Sequence, residues 1–370
     1  MSSRDLAGVL SALLIGCGGG GDGPRVDGAG GGDGASADAR VIGDGGGAGF
    51  DGPRGTGPAE FTYVEVPGMV CANGTPAGIG VSDWASDTLV LFVNGGGACW
   101  DPNTCFVLRS ATHIDTTYSA AVLAADVAPL TASGLTDRAA VDNPLATAAF
   151  AFVPYCTADF HSGDATRPIQ VDILGNTRDV HFRGRPNLRA ATAALAARMP
   201  GLRQIHLIGA SAGGFGAMLG VDVVEQAFPA ARVDLLADGS PTLQPAEYAT
   251  WRSVWNMTAA DCTTCDQTFA NLPAHLAASR QGRRLGLITT TNDGVIRAFF
   301  GFGLGDITPQ VGALIDTHYA QAPAHAFVVT GTEHVLLGGY RTLVGPGGVT
   351  LKSWFDDWVA GAPGWTTVRP

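Results

Sequence analysis

Three observations predict an α/β fold: a mostly parallel sheet flanked by helices, with loop or helical insertions over one end. Short apolar runs bounded by turn residues recur along the chain, and segments with helical apolar spacing separate them. A glycine-rich corner, "GASAGGFGAML" at 209–219, stands where one such run meets one such helix. Strands that alternate with helices imply crossover connections, and crossovers imply parallel pairing.

The chain opens with "MSSRDLAGVLSALLIGC", which has one basic residue, Arg4, and an apolar segment from Leu6 to Ile15 that is too short to span a bilayer. It reads as an export signal over 1–17. "LIGC" resembles a bacterial lipobox, which implies lipidation of Cys17 and a membrane-anchored mature protein; an ordinary signal peptide with an incidental cysteine is the alternative. Residues 18–58 are dominated by Gly, Asp, Ala and Ser without apolar periodicity, the composition of a flexible tether. The folded domain is expected over 59–370.

Within it, "FTYVEVP" at 61–67 and "GTPAGIGVS" at 74–82 read as a leading antiparallel edge. "TLVLFVNGG", "AFAFVPYC", "IHLIGAS", "VDLLADG", "LGLITTTND" and "HAFVVTGTEH" then read as buried strands. Leu188, Ala191, Leu195 and Met199 form one face of a helix that "RPN" can start, and "AMLGVDVVEQAF" continues the corner as another. Segments 106–145 and 241–283 interrupt this rhythm. Trp251 and Trp255 in the second stand at helical spacing, which favours core packing over a pocket wall.

Composition narrows the function classes. With 46% hydrophobic and 15% charged residues the chain can bury a sizeable core. A formal charge of -11 and the absence of any basic run remove the electrostatic footprint of a nucleic-acid binder. Beyond Cys17 stand Cys71, Cys99, Cys105, Cys156, Cys262 and Cys265, an even set that suggests three disulfides in an exported chain. Many connectivities are possible. The expected one joins Cys99 to Cys105, Cys262 to Cys265 and Cys71 to Cys156. A zinc site is the other reading of "CTTC", but no second pair of ligands completes it, and no metal or cofactor is expected.

The corner at 209–219 admits three readings: a phosphate-binding turn, a packing corner, or a nucleophile elbow of the form G-x-S-x-G. Gly209, Ser211 and Gly213 fit the third, with Ala210 and Ala212 keeping the turn small. In a parallel sheet reacting groups gather at the carboxyl ends of strands. If Ser211 is a nucleophile, an acid and a base should follow at later strand ends, and Asp293 and His334 stand there in the order of an α/β-hydrolase. A serine hydroxyl needs an imidazole to take its proton, and the imidazole needs a carboxylate to hold its tautomer. Asp238 also ends a strand and is the rival carboxylate. "VNGGGACW" offers backbone donors at Gly96 and Gly97, which with Ala212 can form an oxyanion hole.

"CANGTPAG", "VNGGGACWDPNTC", "VPYCTADFHSGD", "FRGRPNLRAA", "GASAGGFGA", "TTNDG" and "EHVLL" resemble, in order and rough spacing, the pectin acetylesterase and Notum-like carboxylesterase family, from about residue 66 to 337. The resemblance implies Ser211, Asp293 and His334 as the triad and Gly96, Gly97 and Ala212 as the oxyanion donors. It also implies a small disulfide loop between Cys99 and Cys105 that pins the glycine turn. Where plant members carry Trp before the first loop cysteine, this chain has Ala98, with Trp100 just after. Trp100 and His161 are candidate substrate-pocket residues; for His161 the competing reading is a loop histidine held by a local hydrogen bond. His206 lies inside a strand and reads as core.

The function expected from these features is a serine carboxylesterase that removes short acyl groups, acetyl first, from a carbohydrate, in an exported and membrane-anchored protein. A lipid or polyester esterase is the enzymatic alternative. A surface-anchored glycan-binding protein on a degenerate hydrolase scaffold is the alternative of another class.

Overall fold

The computed structural model describes residues 55–370 apart from residue 260. The signal segment, Cys17 and most of the tether lie outside the described residues. Pairing begins slightly before the expected boundary at 59: Pro58 bridges Asp137, and Gly57 O accepts from Arg138 N at 3.0 Å.

A nine-stranded sheet runs in the order β1-β2-β4-β3-β7-β8-β9-β11-β10. β1 (Thr62–Val70) and β2 (Pro76–Ser82) form the antiparallel leading edge that the sequence predicts. β4 (Ala149–Val153), β3 (Thr88–Val93), β7 (Gln204–Ala210), β8 (Arg232–Asp238), β9 (Leu285–Thr290) and β11 (Ala324–Val329) are parallel. The two-residue β10 (Ala320–Gln321) closes the far edge antiparallel to β11. β4 and β9 are buried at every residue, as expected of strands covered on both faces.

The helices are α1 (Ala120–Ala132), α2 (Gly184–Arg198), α3 (Ala212–Ala227), α4 (Tyr248–Trp255), α5 (Leu272–Ser279), α6 (Gly294–Phe299), α7 (Thr308–His318) and α8 (Leu351–Ala360). In α2 the expected stripe Leu188, Ala191 and Leu195 is fully buried, while Met199 caps the helix. α3 packs on β7 and β8 so closely that the side of Gly220 meets Leu188 of α2. Arg185 of α2 is buried against Asp222 of α3 at 2.5 Å and ties the two helices together.

Two features lack a counterpart in the sequence reading. A separate hairpin of β5 (Ala165–Gln170) and β6 (Thr177–Phe182) stands between β4 and α2; its mixed burial left no clean alternation to read. α8 lays Trp354 and Trp358 against Phe327 and His206 of the sheet. His206 is thus core, as expected, and burial pushes it down to about 4, so it is neutral at physiological pH. No helix among the described residues is long and apolar enough to cross a membrane.

Candidate active site

Ser211 occupies the single residue between β7 and α3, with φ 55 and ψ -126. An L-residue rarely adopts that conformation, at a cost of order 1–3 kcal/mol, so the surroundings must hold it. They do so by exclusion: a Cβ at Gly209 would fall 2.2 Å from Gly213 O, and one at Gly213 would fall 2.0 Å from Val93 O. Only glycine fits at either flank, which is the steric reason for the G-x-S-x-G pattern. Ser211 N donates to Asp238 O at 2.7 Å and fixes the turn from the neighbouring strand.

His334 lies in the loop after β11 and Asp293 at the cap of α6. Ser211 Oγ is 2.7 Å from His334 Nε2, and His334 Nδ1 is 2.7 Å from Asp293 Oδ2. The Asp293 carboxylate is fully buried, and its other oxygen accepts from Val295 N (2.9 Å) and Ile296 N (3.0 Å). One side chain therefore caps a helix with one oxygen and faces the imidazole with the other. Asp238 does not reach the imidazole nitrogen; its carboxylate accepts from Leu336 N and Leu337 N instead. Geometry thus separates the two rival carboxylates.

The glycine loop abuts the elbow, since a Cβ at Gly95 would fall 2.2 Å from Ala210 O. Gly96 and Gly97 take φ 156 and 75. Carbonyl after carbonyl of this loop is tied down: Asn94 O accepts from His161 Nε2 (2.8 Å), Gly96 O from Thr112 N (2.8 Å), Gly97 O from Tyr155 Oη (2.7 Å) and Cys99 O from Trp255 Nε1 (2.8 Å). The N–H groups of Gly96, Gly97 and Ala212 donate to no atom among the described residues. With the loop held through these carbonyls, the N–H groups of Gly96, Gly97 and Ala212 are suited to a developing negative charge.

Cys99 pairs with Cys105, Cys71 with Cys156 and Cys262 with Cys265, the expected connectivity. The first closes a six-residue separation directly after the glycine loop. "CTTC" is therefore a disulfide and not a metal ligand pair. Three bridges suit an oxidising, extracellular compartment.

For His161 the geometry favours the hydrogen-bonded reading over the pocket one. It is 2% exposed and sits beneath the glycine loop, so it supports Asn94 and does not line an open pocket. Burial pushes its imidazole down to about 4, which keeps it neutral and leaves the Nε2 hydrogen for Asn94 O. Trp100 is partly exposed and packs on Trp251, ring centroids 5.3 Å apart. Trp251 and Trp255 are core residues at 1% and 0% exposure. Tyr155 and Trp255 are loop supports that sequence reasoning missed; neither carries a local signal, because each reaches a carbonyl far away in the chain.

Sheet order, elbow and strand-end groups together define an α/β-hydrolase fold. A family model described as PAE: Pectinacetylesterase matches residues 57–285, well over half of the chain. The chain belongs to the pectinacetylesterase family. The glycine loop and Ser211 fall within the matched span, whereas Asp293 and His334 lie beyond it. Among curated proteins the chain is similar to palmitoleoyl-protein carboxylesterase NOTUM of Homo sapiens, 28% identical over 188 residues, covering 49% of this chain and 36% of that protein. It is also similar to palmitoleoyl-protein carboxylesterase notum1' of Xenopus laevis, 27% identical over 210 residues, covering 55% and 39%. These matches span well under half of either relative. Among solved structures, the Wnt deacylase Notum from Drosophila, crystal form II, aligns with a TM-score of 0.60 at 18% identity, over 84% of this chain and 95% of that one. That likeness is one of fold.

Proposed function

We propose that this chain is a serine carboxylesterase that removes short acyl groups, acetyl first, from a carbohydrate. The observation that carries the reading is the continuous Ser211, His334 and Asp293 hydrogen-bonded chain, 2.7 Å at each link, beside a glycine loop with free donors. Ser211 Oγ attacks the ester carbonyl carbon as its proton passes to His334 Nε2. The carbonyl oxygen, now an oxyanion, accepts from the N–H groups of Gly96, Gly97 and Ala212. One such donor is worth about 3 to 4 kcal/mol of transition-state stabilisation. Collapse of the tetrahedral species breaks the bond to the leaving alcohol, which takes the proton back from His334. Water then attacks the acyl-serine with His334 as base, and the carboxylic acid leaves. Asp293 stabilises the imidazolium in both halves.

Family membership supports ester hydrolysis, and the intact hydrogen-bonded chain speaks against a degenerate binding scaffold. The net charge of -11 favours a neutral acetylated glycan over a polyanionic one, which it would repel. The similarity to palmitoleoyl-protein carboxylesterases raises protein-linked palmitoleoyl as a second acyl donor, and acyl length therefore belongs in the test. Export and anchoring through Cys17 complete the proposal. The deciding experiment compares wild type with Ser211→Ala on aryl esters of increasing acyl length, on acetylated xylan and on pectin. Equal inactivity of both proteins on every ester refutes the enzyme reading, and a preference for long acyl chains refutes the acetyl assignment.

A further inference from the structure

The end of β8 touches both reacting side chains through their backbones. Ser211 N donates to Asp238 O (2.7 Å), and Ser240 Oγ donates to Ser211 O (2.8 Å). From the same strand end, the Asp238 carboxylate accepts from Leu336 N (2.8 and 2.9 Å) and from Leu337 N (2.8 Å), two and three residues past His334. Between them Gly239, at φ 66, lies against the base: a Cβ there would fall 3.0 Å from Val335 Cγ1 and 3.2 Å from His334 Cε1. Asp238 and Ser240 are both fully buried.

Each tied segment contains a residue in a conformation that L side chains rarely adopt, Ser211 at φ 55 and Val335 at φ 55. Such residues persist only where the surroundings over-determine them. The separation between Ser211 and His334 joins two loops 123 residues apart, and no direct backbone bond between those loops is needed if one strand end clamps both. We propose that Asp238 is a positioning residue which, with Ser240, clamps the nucleophile elbow and the base-bearing loop to one strand end and so sets the Ser211 to His334 contact. The inference rests on the roles proposed for Ser211 and His334.

Asp238 also acts through charge. Burial pushes its carboxyl up to about 6, against the pull of the Leu336 and Leu337 donors, so it is ionised at neutral pH. The charged groups near His334 are then Asp293 at Nδ1 and Asp238 from β8, while Glu333 turns its carboxylate onto Thr332 N at 2.9 Å. A negative charge nearby favours the imidazolium that forms as Ser211 Oγ gives up its proton.

The test measures kcat and KM on an aryl acetate across pH, together with the rate of fluorophosphonate labelling, in which Ser211 Oγ bonds to phosphorus and fluoride leaves. Asp238→Asn, shown folded by circular dichroism, is expected to lose roughly 10- to 100-fold in kcat, as small misplacements of reacting groups do. KM should stay within about twofold, so that the loss falls on kcat and not on binding. Ser240→Ala should label more slowly, and it carries the test if Asp238→Asn does not fold. A folded Asp238→Asn with wild-type kcat, or a Ser240→Ala that labels at the wild-type rate, overturns the clamp. Wild type that labels no faster than Ser211→Ala removes the nucleophile assignment, and the clamp falls with it.

Discussion

The indole Nε1 of Trp255 donates to the carbonyl oxygen of Cys99 at 2.8 Å, across 156 residues of chain. This bond joins the helical insertion at 241–283 to the disulfide that closes the glycine loop. Its donor is buried at 0% exposure, as is Cys99, so no water competes for the acceptor. Trp255→Phe keeps the stacking on Trp251 (5.3 Å) but leaves a buried carbonyl without its donor. The expected cost is about 1 to 3 kcal/mol of stability. A several-fold fall in kcat should accompany it, because the loop that offers Gly96 and Gly97 is less firmly held. Unchanged denaturant midpoint and unchanged kcat would show that the bond does neither.

Asp293→Asn tests the carboxylate. The amide oxygen can keep the cap on Val295 N and Ile296 N, but the amide nitrogen then faces His334 Nδ1 as a donor and imposes the wrong tautomer. A loss of at least about 100-fold in kcat is expected, with little change in KM, by analogy with a serine protease where the same change costs about 10⁴. It should exceed the loss in Asp238→Asn. The reverse ranking in two folded variants would transfer the role to Asp238.

Removing the disulfides one at a time should separate stability from activity. The Cys71 to Cys156 bridge spans 85 residues and the Cys99 to Cys105 bridge only 6. Loop-closure entropy makes the first worth about 4 to 5 kcal/mol and the second about 2. The paired Ala variant of Cys99 and Cys105 is nevertheless expected to lose more of its kcat, since that bridge borders the proposed oxyanion donors. Urea unfolding and steady-state kinetics on both paired variants decide the ranking.

His206 offers a pH test. Its folded imidazole is pushed down to about 4 by burial, from an ordinary 6.5, and its Nδ1 has no hydrogen-bond partner among the described residues. The unfolded chain therefore binds a proton that the folded chain refuses as pH falls from 6.5 towards 4. Stability is lost over that window and is unaffected above it. His206→Phe keeps a ring against Trp358 and removes the titration. The variant should gain on the order of 2 kcal/mol relative to wild type between pH 8 and pH 5, read from urea unfolding at the two values. A gain independent of pH would show that His206 does not titrate as buried.

Much of the fold and site was legible in local pattern. Apolar runs such as "LGLITT" and "AFAFV" read as buried strands because a chain covered on both faces has no reason to alternate. Gly209 and Gly213 pointed to an elbow because their neighbours exclude any Cβ. The hairpin of β5 and β6 was not legible, since its side chains divide between solvent and a few neighbours without a period. His161 stayed open between a pocket and a hydrogen-bonded reading because a polar residue at a strand end looks the same whether it faces solvent or a backbone carbonyl.

By itself the sequence determined the parallel strands and the helices between them, the glycine-flanked corner at Ser211 and the set of side chains proposed to do the chemistry. These follow from sterics and apolar spacing that act over a few residues. Tertiary structure alone decided that Asp293 meets His334 while Asp238 holds Leu336 and Leu337, and that Trp255 ties down Cys99. It also decided that His161 lies beneath the glycine loop. Asp238 ends β8 and Asp293 stands three residues past the end of β9, so both lie at the carboxyl edge of one parallel sheet and local pattern does not tell them apart. What separates them is strand order and the path of the loop after β11, and distances between strand ends exist only once the sheet has formed.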